Sequence, residues 1–187
     1  YRSSLSKEGN IYMDSSGINS LIRTATVDDV VDLKVICQTL NIGLKIDSEL
    51  ADLCKIAVGV NDRITIWLNA KLDKKTKFTL VAIAIAEYII HPTRVSGQGV
   101  VYDMFFLKEL NSKKRSKLIM LATRLVIPEH IIEKLSDALD NQFSNDKIND
   151  TFDAESYIAS AGYLPEFMRC TIKESTSMFL LDNLSTN

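Results

Sequence analysis

Lys77-Phe78-Thr79-Leu80-Val81-Ala82-Ile83-Ala84-Ile85-Ala86-Glu87-Tyr88-Ile89-Ile90-His91 is the stretch whose reading decides the fold. Phe78, the run Leu80 to Ala86, Tyr88, Ile89 and Ile90 leave almost no polar side. A helix of this kind must be buried nearly all round. Its alanines lower the bulk and favour helix. Pro92 stops it. Other elements must therefore surround it. An α+β domain is expected, with a small mixed or antiparallel sheet packed on a buried central helix and several further helices.

Upstream, short β-type runs supply that sheet. Gly43 to Asp47 is one candidate strand. Leu53 to Val60 and Arg63 to Leu68 flank Asn61-Asp62, a hairpin turn. Ile64, Ile66 and Leu68 alternate with Thr65 and Trp67. Before them, Thr26 reads as a helix start, with Asp29 as a capping-box-like partner. Val30, Leu33, Ile36, Cys37 and Leu40 follow at helical spacing, and Gly43 ends the helix. Residues 1 to 25 are rich in Ser, Asn and Gly. Tyr12, Ile18, Leu21 and Ile22 show no period there, so a lead-in or linker is expected.

Downstream, Gly97 and Gly99 lead to Val100-Val101-Tyr102. Ser112 reads as the cap of a helix striped by Leu118, Leu121, Ala122 and Leu125. Pro128 suits the first turn of the next, striped by Ile131, Ile132, Leu135, Ala138 and Leu139. Residues 141 to 151 read as a loop. Ala154 to Ala161 is helical, stopped by Gly162, and Pro165 opens a short last helix. Residues 26–142 thus form the main domain and 143–187 a C-terminal helical extension.

The chain has 187 residues, 46% of them hydrophobic, and a formal net charge of -2. It can bury a sizeable core and carries no global basic signature for nucleic acid. Cys37, Cys54 and Cys170 are scattered, with no metal-ligand spacing, and read as buried free thiols in a reducing compartment. No signal peptide or membrane-length apolar run is present, so a cytoplasmic protein is expected. The chain begins at Tyr1, which reads as a piece of something longer.

Four passages resemble the ImmA/IrrE zinc-metallopeptidase family. Val31 to Gly43 is similar to its opening helix and the turn that follows. Arg63-Ile64-Thr65-Ile66-Trp67-Leu68-Asn69 resembles a strand ending in Asn. Lys77-Phe78-Thr79-Leu80-Val81 looks like the entry to the active-site helix. Leu121-Ala122-Thr123-Arg124-Leu125-Val126-Ile127-Pro128-Glu129 resembles a helix ending in Pro-Glu. Order and spacing carry the resemblance, over about residues 26 to 140. It implies a zincin-like arrangement.

In that family the entry runs into His-Glu-x-x-His. The two His bind zinc one helical turn apart and the Glu activates a water. Here Ala82 and Ala86 stand at the His positions and Ile83 at the Glu. A one-residue slip puts Ile83 and Glu87 at the His positions and Ala84 at the Glu. The third ligand, a Glu on the next helix, is replaced by Lys117, whose cation repels a metal ion. The resemblance therefore implies the fold without a zinc ion or other cofactor and without catalysis. Its peptidases commonly cut or counteract helix-turn-helix repressors, often in prophages and mobile elements. A non-catalytic peptidase-like domain acting by protein contacts in transcriptional regulation is the leading expectation, as part of a repressor or as its antagonist. The partner would be a helix-turn-helix repressor or a second copy of the chain, met by a groove along Ala82, Ala86, Glu87, His91 and Lys117.

Two further readings stay open. Glu87 and His91, four residues apart on a helix, are a displaced metal pair for a zinc endopeptidase, or a paired or solvated surface contact. The chain is otherwise a structural, oligomerising domain. Lys113, Lys114, Arg115 and Lys117 form a basic cluster, read as a phosphate or acidic-partner patch or as a solvated helix face. Asp153 to Lys173 has helix-turn-helix spacing, but Glu166 and Glu174 balance Arg169 and Lys173, so direct DNA contact is not expected.

Overall fold

The computed structural model describes residues 15–28, 30–110, 112, 115–128, 130–131, 134 and 153–169. The fold is α+β, as the central helix requires. That helix, α3 (Lys74–Ile90), starts at Asp73. The Asp73 carboxylate accepts the Thr76 N–H at 3.0 Å and the Thr76 hydroxyl at 2.5 Å. These two bonds favour the charged form and hold its pKa below the ordinary value. Every residue from Thr79 to Ile89 is buried. The apolar run has become a helix with no solvent face over three turns.

A four-stranded sheet lies against α3, in the order β3-β5-β4-β6. β3 (Gly43–Asp47) is parallel to β5 (Ile64–Asn69), and β4 (Cys54–Val58) is antiparallel to both β5 and β6 (Val100–Tyr102). Alternation puts Cys54, Ile56, Ile66, Leu68, Val100 and Tyr102 in the core. The opposite face carries Lys45, Trp67, Lys55 and Val101 in one row across the strands. Asn61-Asp62 does close the β4–β5 hairpin. Both residues have positive φ, 59° and 56°, which Asn and Asp tolerate better than most residues. Gly59 is needed beside them, since a Cβ there would meet the Thr65 hydroxyl at 2.5 Å.

The two ends of β5 are tied to neighbouring segments by side chains. Arg63 donates to the carbonyls of Asn41 (3.0 Å) and Ile42 (3.1 Å), fixing the entry to β3. The Asn69 amide donates to the carbonyls of Leu50 (2.8 Å) and Asp52 (3.3 Å), fixing the loop before β4.

Three boundaries before the sheet differ from the sequence expectation. Residues 15–25 are not a loose linker but a helix, α1 (Ser15–Ala25). Leu21 and Ala25 are buried and Ile18 and Ile22 pack beside them, a helical stripe that Ser, Asn and Gly between them obscure. Thr26 does not open a helix. Thr26–Val27 (β1) and Val30–Val31 (β2) form a tight antiparallel pair, turned at Asp28 with φ of 48°. The helix α2 (Leu33–Thr39) begins after Asp32, whose carboxylate accepts the Lys34 N–H at 2.8 Å. Gly43 opens β3 rather than ending α2. Asp29 lies outside the described residues.

After α3, Pro92 both ends that helix and starts the short α4 (Pro92–Gly97). α5 (Met104–Lys108) follows β6, capped by Asp103. α6 (Ser116–Arg124) starts three residues later than a cap at Ser112 predicts and packs along α3, burying Ile119, Leu121 and Ala122. Ile131 is buried, while Ile132, Leu135, Ala138, Leu139 and the 141–151 loop fall outside the described residues.

α7 (Ala154–Ser160) and the helical residues 165–169 are as expected, with Gly162 between them. They are packed on the first turns of α3 rather than extended from it. The Leu164 N–H donates to the buried Thr79 hydroxyl at 2.9 Å, and Lys75 donates to the Ala159 carbonyl at 2.9 Å. Phe167 and Met168 are buried in the common core, and Tyr163 lies between the rings of Phe78 and Phe167. No helix among the described residues is long and apolar enough to cross a membrane.

Candidate functional site

The positions singled out on α3 are all interior. Ala82, Ile83 and Ala86 have no exposed surface. Their alkyl side chains offer no lone pair to a cation, and α6 packs against the helix that carries them. Lys117 is on α6 and exposed. The expected groove is therefore not open at its two alanines. Both alanines are wholly buried, so an imidazole at either position would overfill the core. Of the five groove residues only His91 and Lys117 meet solvent.

Glu87 is the one acidic residue inside this helix, and it is only 3% exposed. It is neither a solvated surface group nor a free metal ligand. Its Oε1 accepts Arg94 Nη1 at 3.1 Å, an ion pair from α3 to α4. The Tyr102 hydroxyl points at its other oxygen, Oε2, at a long 3.5 Å. Tyr102 is itself buried, and its pKa is pushed well up, first by burial and then by the Glu87 charge. The proton thus stays on the tyrosine, whose neutral O–H suits a donor to a carboxylate. His91 is exposed; its backbone N–H donates to the Glu87 carbonyl at 2.7 Å and its carbonyl accepts the Val95 N–H at 3.1 Å.

This cluster joins three elements: α3, α4 and the edge strand β6. Phe106 of α5 extends it, with its ring 4.6 Å from Tyr102 in edge-on contact. Arg115 caps the far side, its guanidinium 4.3 Å from the Phe106 ring centre. Arg115 also donates to the Phe106 carbonyl (3.1 Å) and pairs with Glu109 (3.1 Å). One member of the expected basic cluster is thereby drawn into the fold. Lys117 remains exposed, and Lys113 and Lys114 lie outside the described residues.

The two described cysteines are buried and unpaired with each other. Burial pushes the Cys37 thiol up to about 12, and pushes Cys54 higher still. Thiolate chemistry at neutral pH is closed to both. Among the described residues, no group of three or more His, Cys, Asp or Glu is placed to hold a metal ion. Every buried side-chain nitrogen and oxygen there has a hydrogen-bond partner.

Sequence reasoning missed Arg94 and Tyr102 as partners of Glu87. A lone acid in a wholly apolar run was the available signal, because such a carboxylate needs a cation or donor from elsewhere. Comparison with known proteins finds no family model, curated protein or solved structure that matches the chain.

Proposed function

We propose that this chain is a non-catalytic, peptidase-like domain that acts through protein contacts in transcriptional regulation, with a helix-turn-helix repressor as its partner. The resemblance in four ordered passages supports the peptidase-like part of this reading. One observation supports the non-catalytic part. The helix that would carry two imidazoles and a carboxylate instead buries Ala82, Ile83 and Ala86 completely. A hydrolytic zinc site needs lone pairs at these positions and an open coordination position for water. Closely packed hydrocarbon supplies neither.

Glu87 does not replace the missing base on this reading. Its charge is held by Arg94, and it serves to lock α4 and β6 to the central helix. Recognition then falls to the surface, where His91 and Lys117 remain available.

The test is affinity capture of the chain from its native host, with the bound proteins identified by mass spectrometry. A helix-turn-helix protein, recovered intact and uncleaved after incubation with zinc, is the expected result. Zinc-stimulated, chelator-sensitive cleavage of that protein would refute the non-catalytic reading. Recovery of no DNA-binding protein would refute the regulatory one.

A further inference from the structure

The sheet ends at β3, which pairs with β5 on one side and with no strand on the other among the described residues. Edge strands ordinarily carry devices that discourage a second chain: proline, a bulge, extreme shortness, charged side chains such as Lys, or a covering helix or loop. β3 is five residues long, Gly43-Leu44-Lys45-Ile46-Asp47, unbroken in register and free of proline. Its apolar side chains stand in water, Leu44 at 40% and Ile46 at 61% exposure. Lys45 is the one basic residue on the strand. Asp47 follows two residues later on the same face of the sheet.

This strand is complementary to itself in one antiparallel register. With a two-fold axis through residue 46, Ile46 lies opposite Ile46 of the second copy. Lys45 then lies opposite Asp47, and Asp47 opposite Lys45. Directly opposed residues share a face, so both ion pairs fall on the side where Trp67 lies in register with Lys45. The isoleucine contact falls on the other. An axis through residue 45 instead sets Lys45 against Lys45, and like charges directly opposed are destabilising.

We propose that β3 is a homodimerisation edge, where two copies of this chain join antiparallel about Ile46 into one continuous sheet. The occupant is the chain itself because the charge alternation of the strand answers its own sequence. The short strand buries little area, so the dimer is weak and concentration-dependent. The idea is independent of the non-catalytic, repressor-binding reading, and neither fails with the other.

Sedimentation velocity of the full chain, from about 1 to about 200 µM, tests it over the range of weak association. A monomer–dimer equilibrium is expected. Lys45→Asp alone should weaken it about tenfold, since it opposes acid to acid at two symmetric places. Adding Asp47→Lys to the same chain should bring the dissociation constant back to within about threefold of the original. Asp47 also accepts the Glu49 N–H at 2.8 Å, so a melting curve must accompany that variant. Ile46→Cys provides a readout that leaves both charges in place. It should cross-link two chains under mild oxidation, whereas Leu44→Cys, set opposite Ser48, should not. The proposal is overturned by a chain that stays monomeric across the range. It is equally overturned by a dimer indifferent to Lys45→Asp, by failure of the folded double variant to recover, or by equal cross-linking from residues 44 and 46.

Discussion

At the scale of single residues, the most consequential contact is the ion pair between Glu87 and Arg94. Arg94 is 56% exposed along its side chain while Glu87 is 4% exposed, so the two ends of the pair stand in different surroundings. Water screens the arginine and lowers what the pair contributes as an attraction. Losing the arginine is another matter, because the carboxylate stays behind with only the long contact from Tyr102. Arg94→Ala should therefore lower the unfolding free energy by about 1–3 kcal/mol, the cost of an unsatisfied buried polar group. Glu87→Gln made in the Arg94→Ala background should recover part of that loss, since it removes the stranded charge. Urea denaturation of the single and double variants measures both numbers. A double variant weaker than Arg94→Ala alone would show that Glu87 is held by something other than Arg94. The sequence could not reveal this pair. Its members are seven residues apart across a proline, in two different helices, and no periodicity links them.

At the scale of elements, the legible parts were those whose pattern is local and strong. The apolar run gave α3, and Asn61-Asp62 between two alternating runs gave the β4–β5 hairpin. α1 was hidden because its stripe of Ile18, Leu21, Ile22 and Ala25 is short and diluted by polar residues. Its packing against α2 compensates for poor propensity. The α6 boundary was misplaced because Ser112 is a good cap in isolation. The turn there instead carries Arg115 onto Phe106 and Glu109, and the helix begins after it. The candidate site was legible as chemistry, because Ala82, Ile83 and Ala86 cannot ligate. It was not legible as shape, because only packing shows the groove closed at those positions. Ala82→His with Ala86→His tests that packing. Each imidazole should cost on the order of 1–3 kcal/mol through overpacking of the core around it. Added zinc should leave the loss uncorrected. A zinc-dependent rise in melting temperature would mean that the core can open at these positions and admit a metal ion.

At the scale of the whole molecule, one core runs from α1 to the helical residues 165–169. The sequence suggested a C-terminal extension because polar residues 141–151 separate this segment from the rest. Phe167 and Met168 show instead that residues 153–169 share the core of the main domain. Phe167→Ala should then cost about 3–5 kcal/mol in one cooperative transition, as for a large buried aromatic ring. A loss near zero, or a separate early transition, would mark the C-terminal helices as an attachment. The sheet order carries one more consequence, for the time course of assembly. The hairpin closes over six residues (Val58 to Ile64, 64 − 58), whereas β3 meets β5 across twenty-two (Gly43 to Thr65, 65 − 43). Short loops close first, so β3 leaves the ribosome ahead of its neighbours yet finds its place after them. During that wait both edges of β3 lie open, with Lys45 and Asp47 as its only charged residues.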